Sequence, residues 1–414
     1  MLRLFGLLSF GFLSLITEAQ TQKLYFDPAY AMGAQESAVF DEIQYIPLQT
    51  SRESVFGRIN QLIVTEKNFI IWDTDTDAIY FFDKEGKFLK KISDKRNTIK
   101  SIQLDKNKNA LLIVQLSKSY LPSQKQIQNA LDNPFKNSAL KYYKSFYYDL
   151  NDINAAKTSP IKNLDFIMAN PIILNSKYWA FSYIYANKVW DDITDYELKV
   201  SDGNKIVQSF FPYSRQKSAI FYGSPQKISF YNTLNPSYLL FTRPFNYSIY
   251  KFSLDTLIEA YQVVFPMANT LPNSFFTQNF ESRKAFEDYK QKNSGFIWGL
   301  DNIVEFKNLL FFSIDTWRSF NERNFILNKT TNQFLNYNKI SADSSNYFLP
   351  PTGYRVQYFD ENYLYSSVPS SSMFQSYESS KTRNVQYPPT LKVYFEKAKQ
   401  TDNPVIIQIK PKTK

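Results

Sequence analysis

The chain has 414 residues, 43% hydrophobic and 17% aromatic, with 37 Phe and 30 Tyr, so it holds ample material for a core, is not a disordered chain, and leans towards strands. It has neither cysteine nor histidine, which excludes disulfides, a lipid-bearing N-terminal cysteine, Ser-His-Asp and cysteine nucleophiles, His-zinc sites and His- or Cys-ligated haem. The formal charge of +10 is spread along the chain rather than clustered, so lysines decorating solvent edges and turns explain it better than an anionic partner does.

The first 19 residues read as a secretion signal, with Arg3 as the positive start, an apolar stretch over residues 4–16, and Thr17-Glu18-Ala19 ending on a small residue. No second long apolar run follows. The expected product is therefore soluble, periplasmic or outside the cell, and not lipid-anchored, and nucleic acid is not expected as a partner. Residues 20–39 read as a lead-in. Residues 40–414 read as one all-β domain, a six-bladed β-propeller.

The propeller reading rests on repeated short strands joined by tight turns. Residues 40–48 (FDEIQYIPL) alternate as an edge strand, with Pro47 where an edge tolerates it. Residues 58–64, 69–73, 78–83 and 88–92 then give four strands in under forty residues, the last pair joined through Gly86, which is free to take positive φ. That is the size of one blade. Blade two uses 99–102, 110–114 and, after a long excursion, 142–150. Blade three uses 166–173, 178–185, 195–201 and 205–211. Blade four uses 227–231, 238–242, 247–253 and 257–265. Blade five uses 302–306, 309–314, 323–327 and 333–337. Blade six has only 354–359, 363–367 and 404–409, one strand short, so residues 40–48 are expected to complete it and close the ring.

Two stretches carry a resemblance. Tyr45-Ile46-Pro47-Leu48-Gln49-Thr50 with Gly57-Arg58-Ile59, then Ile70-Ile71-Trp72-Asp73 and residues 79–88, stand near the start; Asp402-Asn403-Pro404-Val405-Ile406-Ile407 stands near the end. On these residues the chain resembles the six-bladed β-propeller family abundant in Bacteroidetes and related to NHL-type propellers. The resemblance implies the fold and an export habit, and brings no catalytic residues or cofactor to carry over. Where that family has a Gly-rich stretch after the first blade, this chain has residues 93–98, SDKRNT.

Loop length points to a site. Turns between strands one and two, and three and four, are short, whereas residues 116–140, 266–300 and 368–400 are inserted in connections that share one face of a propeller. Residues 283–290 and 391–399 have helical spacing and read as caps. Shorter loops on that face bring Trp190, Asp191, Asp192, Tyr213, Arg215, Tyr222, Arg243, Phe245, Trp317 and Arg318, an aromatic and charged set suited to a glycan, a peptide or another envelope protein. The same residues equally serve to pack the loops. The innermost strands would point Arg58, Lys100, Asn170, Lys227, Asn302 and Arg355 at the axis, in a register that one slip reverses. Asp73-Thr-Asp75-Thr-Asp77 begins like a calcium loop but has Ala78 and Lys84 where Gly and Glu belong, so a hairpin with Asx turns explains it better and no metal is expected. Asn328-Lys-Thr330 fits a glycosylation pattern inside an expected hairpin turn. Three roles stand open: a binding module, a carboxylate-based polysaccharide hydrolase or lyase for which Asp191 with Asp192 or Glu305 with Asp315 are candidate pairs, and a docking subunit.

Overall fold

The computed structural model describes residues 21–123, 125–126, 141–161, 171–175, 177–182, 194–214, 230–254, 256–278, 280–316 and 323–413. Three strands precede the first blade: β1 (Gln22–Tyr25), β2 (Met32–Gln35) and, after the one-turn helix α1 (Glu36–Val39), β3 (Phe40–Pro47). Blade one is β4 (Gln61–Val64), β5 (Phe69–Asp73), β6 (Ala78–Phe82) and β7 (Phe88–Ser93). Blade two is β8 (Asn97–Asp105), β9 (Ala110–Ser117), β10 (Tyr143–Asp149) and β11 (Thr158–Pro160). Blade three is β12 (Ile172–Ile173), β13 (Trp179–Ser182), β14 (Thr194–Ser201) and β15 (Ile206–Ser214). Blade four is β16 (Phe230–Tyr231), β17 (Leu239–Thr242), β18 (Ser248–Phe252) and β19 (Leu257–Val264). Blade five is β20 (Ile297–Phe306), β21 (Leu309–Thr316), β22 (Asn324–Asn328) and β23 (Gln333–Ser341). Blade six is β24 (Tyr358–Phe359), β25 (Leu364–Val368) and β26 (Val405–Pro411), completed by β3.

Side-chain alternation explains why these sheets stack in a ring. In β5 and β6, Phe69, Ile71, Tyr80 and Phe82 pack towards Tyr365 and Ile406 of blade six. The intervening Ile70, Ile79 and Phe81 pack towards Ile99, Leu111 and Tyr148 of blade two. A middle strand is thus buried on both faces and reads as a continuous apolar run. The outer strand β7 instead alternates half-buried and exposed positions.

The ring closes as expected. β3 pairs antiparallel with β26, from Val405 opposite Pro47 to Pro411 opposite Phe40. Beside it, Gly86 takes φ 84° against the Pro47 carbonyl, where a Cβ would come within 2.3 Å. Asn403, 1% exposed, locks the same joint. Its Nδ2 donates to the carbonyls of Gln49 (3.0 Å) and Ser54 (2.9 Å), its Oδ1 accepts from the Phe56 N–H (3.1 Å), and its own N–H donates to Thr50 Oγ1 (2.8 Å). Asn403→Ala strands several of these groups, so it is expected to lower unfolding free energy by about 1–3 kcal/mol, measured by denaturant titration. An unchanged midpoint would show that the joint does not depend on this amide.

The lead-in does more than lead in. β1 adds as a fifth, parallel strand outside β19 of blade four, and β2 does the same outside β23 of blade five. Gly33 permits the second approach, since a Cβ there would lie 2.2 Å from the Lys339 carbonyl. The chain therefore runs as a belt around blades four, five and six before entering blade one. Between the two parallel strands Phe26 drops inward, its ring stacked on Phe334 at 4.4 Å and edge-on to Phe325 at 4.7 Å.

Glutamines in or beside the first strands of blades tie neighbouring blades together. Nε2 of Gln357 donates to the Ile59 carbonyl (3.3 Å), that of Gln61 to Ile102 (3.1 Å) and that of Gln103 to Pro171 (2.6 Å), each linking one blade to the next. The helices α2 (Asn273–Thr277) and α3 (Arg283–Lys292) lie between blades four and five, and α4 (Ser370–Ser380) and α5 (Pro389–Lys397) lie inside blade six. Of these, α3 and α5 follow the expected spacing. α2 and α4 were not anticipated, because the Ser-rich run of α4 carries only Met373 and Phe374 as buried apolar residues. Blade two departs in one place from the short-turn rule, since residues 150–157 separate β10 from β11.

Candidate functional site

On the face that carries the helical insertions, a cavity of about 770 Å³ lies over the ends of the inner strands of blades four, five and six and the entry to blade one. Its wall takes Arg58 from the segment before β4, Tyr231 from β16, and Trp298 to Asp301 from β20. Tyr354 and Arg355, just before β24, form the blade-six side, while Phe286, Glu287 and Lys290 of α3 form a flank. Asp315 of β21 and Arg323 before β22 complete the charged lining.

Of the expected face residues, Arg243 and Phe245 line this cavity, and of the expected axial residues, Arg58 and Arg355 do. Tyr213 lies in β15, opposite Asp195 of β14. Trp190, Asp191, Asp192, Arg215, Tyr222, Trp317, Arg318, Asn170 and Lys227 lie outside the described residues. Lys100 and Asn302 are not part of the lining, and each sits at a register shift, between Ile99 and Ser101 in β8 and between Asp301 and Val304 in β20. The second bulge puts Asn302 at φ 52° and turns Asp301 into the cavity in its place.

The charges differ in how they are held. Arg243 makes a two-pronged pair with Glu197, Nε to Oε2 at 2.7 Å and Nη2 to Oε1 at 2.8 Å, and its guanidinium lies 4.1 Å over the Phe211 ring. Burial works against its charge, but the Glu197 pair more than compensates and holds it charged. Glu197, 2% exposed, was not singled out, because in a strand reading TDYELKVS it looks like a solvent-facing acid. Arg58 pairs with Asp75 at 2.8 Å on the surface. Burial and the Asp301 carboxylate push the Tyr231 hydroxyl far up, so it stays protonated and donates to Asp301 Oδ1 at 3.0 Å. Lys290 sits 5.1 Å over the Trp298 ring.

Other motifs resolve into structural roles. Asp73 accepts from the N–H groups of Asp75 (3.1 Å) and Thr76 (3.2 Å), the expected Asx turn. Among the described residues no group of three or more acidic side chains is placed to hold a metal. Asn328 Oδ1 accepts from the N–H groups of Thr330 and Thr331, so its amide caps its own turn. Glu305 lies at the far end of β20, where Lys329 Nζ (2.8 Å) and the Tyr261 hydroxyl (2.5 Å) donate to it. Glu305 pairs with Leu310 and Asp315 with Gly299, a separation of about 16 Å along the ladder, so these two carboxylates do not flank one sugar bond.

Six blades of four strands, two of them extended by a fifth, a ring closed by the amino-terminal strand, and a match over residues 26–121 to the family model described as 6-bladed beta-propeller agree with one another. The chain is a six-bladed β-propeller, similar to Bacteroidetes proteins of that fold. A structure from Bacteroides fragilis, described as a "Putative exported protein", matches the propeller with a TM-score of 0.59 at 14% identity, covering 95% of this chain and 99% of that one. A member of the duf4221 family from Bacteroides vulgatus matches at 0.39 and 11% identity, covering 90% and 98%. Oligogalacturonate lyase from Vibrio parahaemolyticus matches at 0.36 and 9% identity, covering 94% and 90%. Likenesses this distant speak to the fold and not to activity, and the last two carry no argument. No curated protein matches the propeller. Among the described residues no helix is long and apolar enough to cross a membrane.

Proposed function

We propose that this propeller is an exported binding module whose cavity over blades four to six takes a polar ligand, a glycan or a peptide. The observation that carries the reading is convergence: charged side chains from blades four, five and six, from the entry to blade one and from α3 meet around one cavity beside aromatic rings. The signal-like first 19 residues support export. Arg355 is the residue to test, because it lines the cavity and makes no ion pair with any described residue. Arg355→Ala is expected to weaken ligand binding about tenfold or more while leaving thermal unfolding unchanged, as read by titration calorimetry and a melting curve. Unchanged affinity for the ligand found by a glycan and peptide screen sinks the cavity as the site.

A hydrolase or lyase is the second reading, and one feature favours it. Asp301 pairs with Ser313 and Asp315 with Gly299, so the two acids are diagonal neighbours on one face of the sheet, about 7–8 Å apart at the backbone, and both line the cavity. Under that reading Asp315→Asn abolishes turnover of a polysaccharide while the substrate still binds. Under the binding reading no polysaccharide is cleaved by the unaltered protein.

A further inference from the structure

We propose that the cavity selects a ligand carrying an ammonium and a carboxylate at once, an amino-acid derivative or a short peptide with free ends. This rests on the reading that this cavity is the ligand site. Three of the cavity's cations already have partners, Arg58 in Asp75, Arg243 in Glu197 and Arg323, on the blade-five side, in a contact of its own. What remains is divided by wall. Arg355, from the blade-six side, has no ion-pair partner among the described residues. Asp315 of β21 and Glu287 of α3, from the blade-five side, have none either. Lys290, one turn beyond Glu287, lies over Trp298 and makes no ion pair with it.

Opposite charges that make no ion pair across an open cavity attract one another weakly through solvent, so leaving them unpaired costs the empty protein little. A ligand that spans them displaces that solvent and gives each wall a partner of opposite sign, in a medium where charge-assisted bonds are stronger. A neutral sugar satisfies neither charge in this way. A polyanionic glycan meets Arg355 but brings like charge against Asp315 and Glu287, which selects against it. A bipolar ligand is the class that uses both walls, and the free termini of a short peptide are its commonest form.

The test exposes the purified protein to four pools: tripeptides with free ends, the same tripeptides N-acetylated, the same C-amidated, and a mixture of neutral and uronate oligosaccharides. Retained ligands are identified by mass spectrometry and their affinities measured by calorimetry. Free-ended tripeptides are expected to bind, with each cap weakening binding at least about tenfold. Arg355→Gln should bind free and amidated peptides alike, and Asp315→Asn with Glu287→Gln should bind free and acetylated peptides alike, because each change removes the wall that reads that end. Capped peptides retained as well as free ones, or variants that keep the wild-type discrimination, overturn the assignment. Oligosaccharides bound in the cavity with no peptide retained also overturn it, while leaving the binding-module reading standing. A folded protein that retains nothing from any pool ends both.

Discussion

Phe26→Ala is expected to lower the unfolding free energy by about 3–5 kcal/mol, the range for truncating a buried aromatic that the surroundings cannot refill. The ring is 4% exposed and reaches two blades at once. Besides Phe334 and Phe325 of blade five, it meets Phe312 at 5.5 Å and, across the blade boundary, Phe265 at 5.9 Å. Its backbone N–H donates to the Val264 carbonyl at 2.9 Å, extending the parallel pairing of β1. Phe26 is the largest of the belt's buried side chains, with Leu24, Pro28 and Ala31 beside it, while Tyr25, Tyr30 and Met32 point outward. Losing the ring should therefore free residues 21–35 before the ring of blades opens. Limited proteolysis should cut this segment first in the variant, and denaturant titration should show the lost stability. A change below about 1 kcal/mol, with the belt as resistant as in the unaltered protein, would falsify the view that Phe26 staples it.

The belt illustrates what a sequence of this kind does and does not display. Closure by residues 40–48 was legible because β3 alternates over Ile43, Gln44 and Tyr45 and blade six lacked a strand. The same physics explains why the family resemblance is concentrated at the two ends. Residues 45–57 and 402–407 are one joint, in which Asn403 is bonded to Gln49, Thr50, Ser54 and Phe56, and few substitutions satisfy so many buried groups. The strands β1 and β2 gave no such signal, since QKLY and MGAQ are short, polar and parallel to partners more than two hundred residues away. The cavity was half legible for a related reason. Arg58 and Arg355 precede regular inner strands, so position alone placed them. Asp301 was hidden by the bulge that exchanges it with Asn302, and Glu287 and Lys290 by their place on a helix whose apolar stripe of Phe286 and Tyr289 spoke only of packing. Bulges and insertions are local events that periodicity does not announce.

Stability should fall as pH rises from about 4.5 to about 7, by up to about 3 kcal/mol, because of one carboxyl on the belt. Glu36 in α1 is 0% exposed. Its Oε1 accepts from the Asp343 N–H at 2.9 Å, and its Oε2 accepts no bond. Burial, with the Asp343 carboxylate adding to it, raises its pKa from 4.5 to about 7. The folded state therefore holds a proton that the unfolded chain gives up, and the stabilisation is complete below the unfolded value and lost as pH passes through the folded one. Asp343 acts in the opposite sense. Although burial alone would raise it, bonds from Ser345 and Ser37 hold it below the usual carboxylate range, so its contribution is present above about 3.8 and lost in acid. The joint contribution of these two groups is therefore greatest between roughly pH 4 and 5. Glu36→Gln keeps the acceptor for the Asp343 N–H and supplies a neutral donor in place of the acid's proton, so it should flatten the decline above pH 4.5 and leave the loss in stronger acid untouched. Denaturant midpoints across pH 3.5 to 8 for both proteins decide it. Parallel curves would place the pH dependence elsewhere in the molecule, whereas a variant curve that stays level while that of the unaltered protein falls ties it to the buried acid at the seam between belt and blade five.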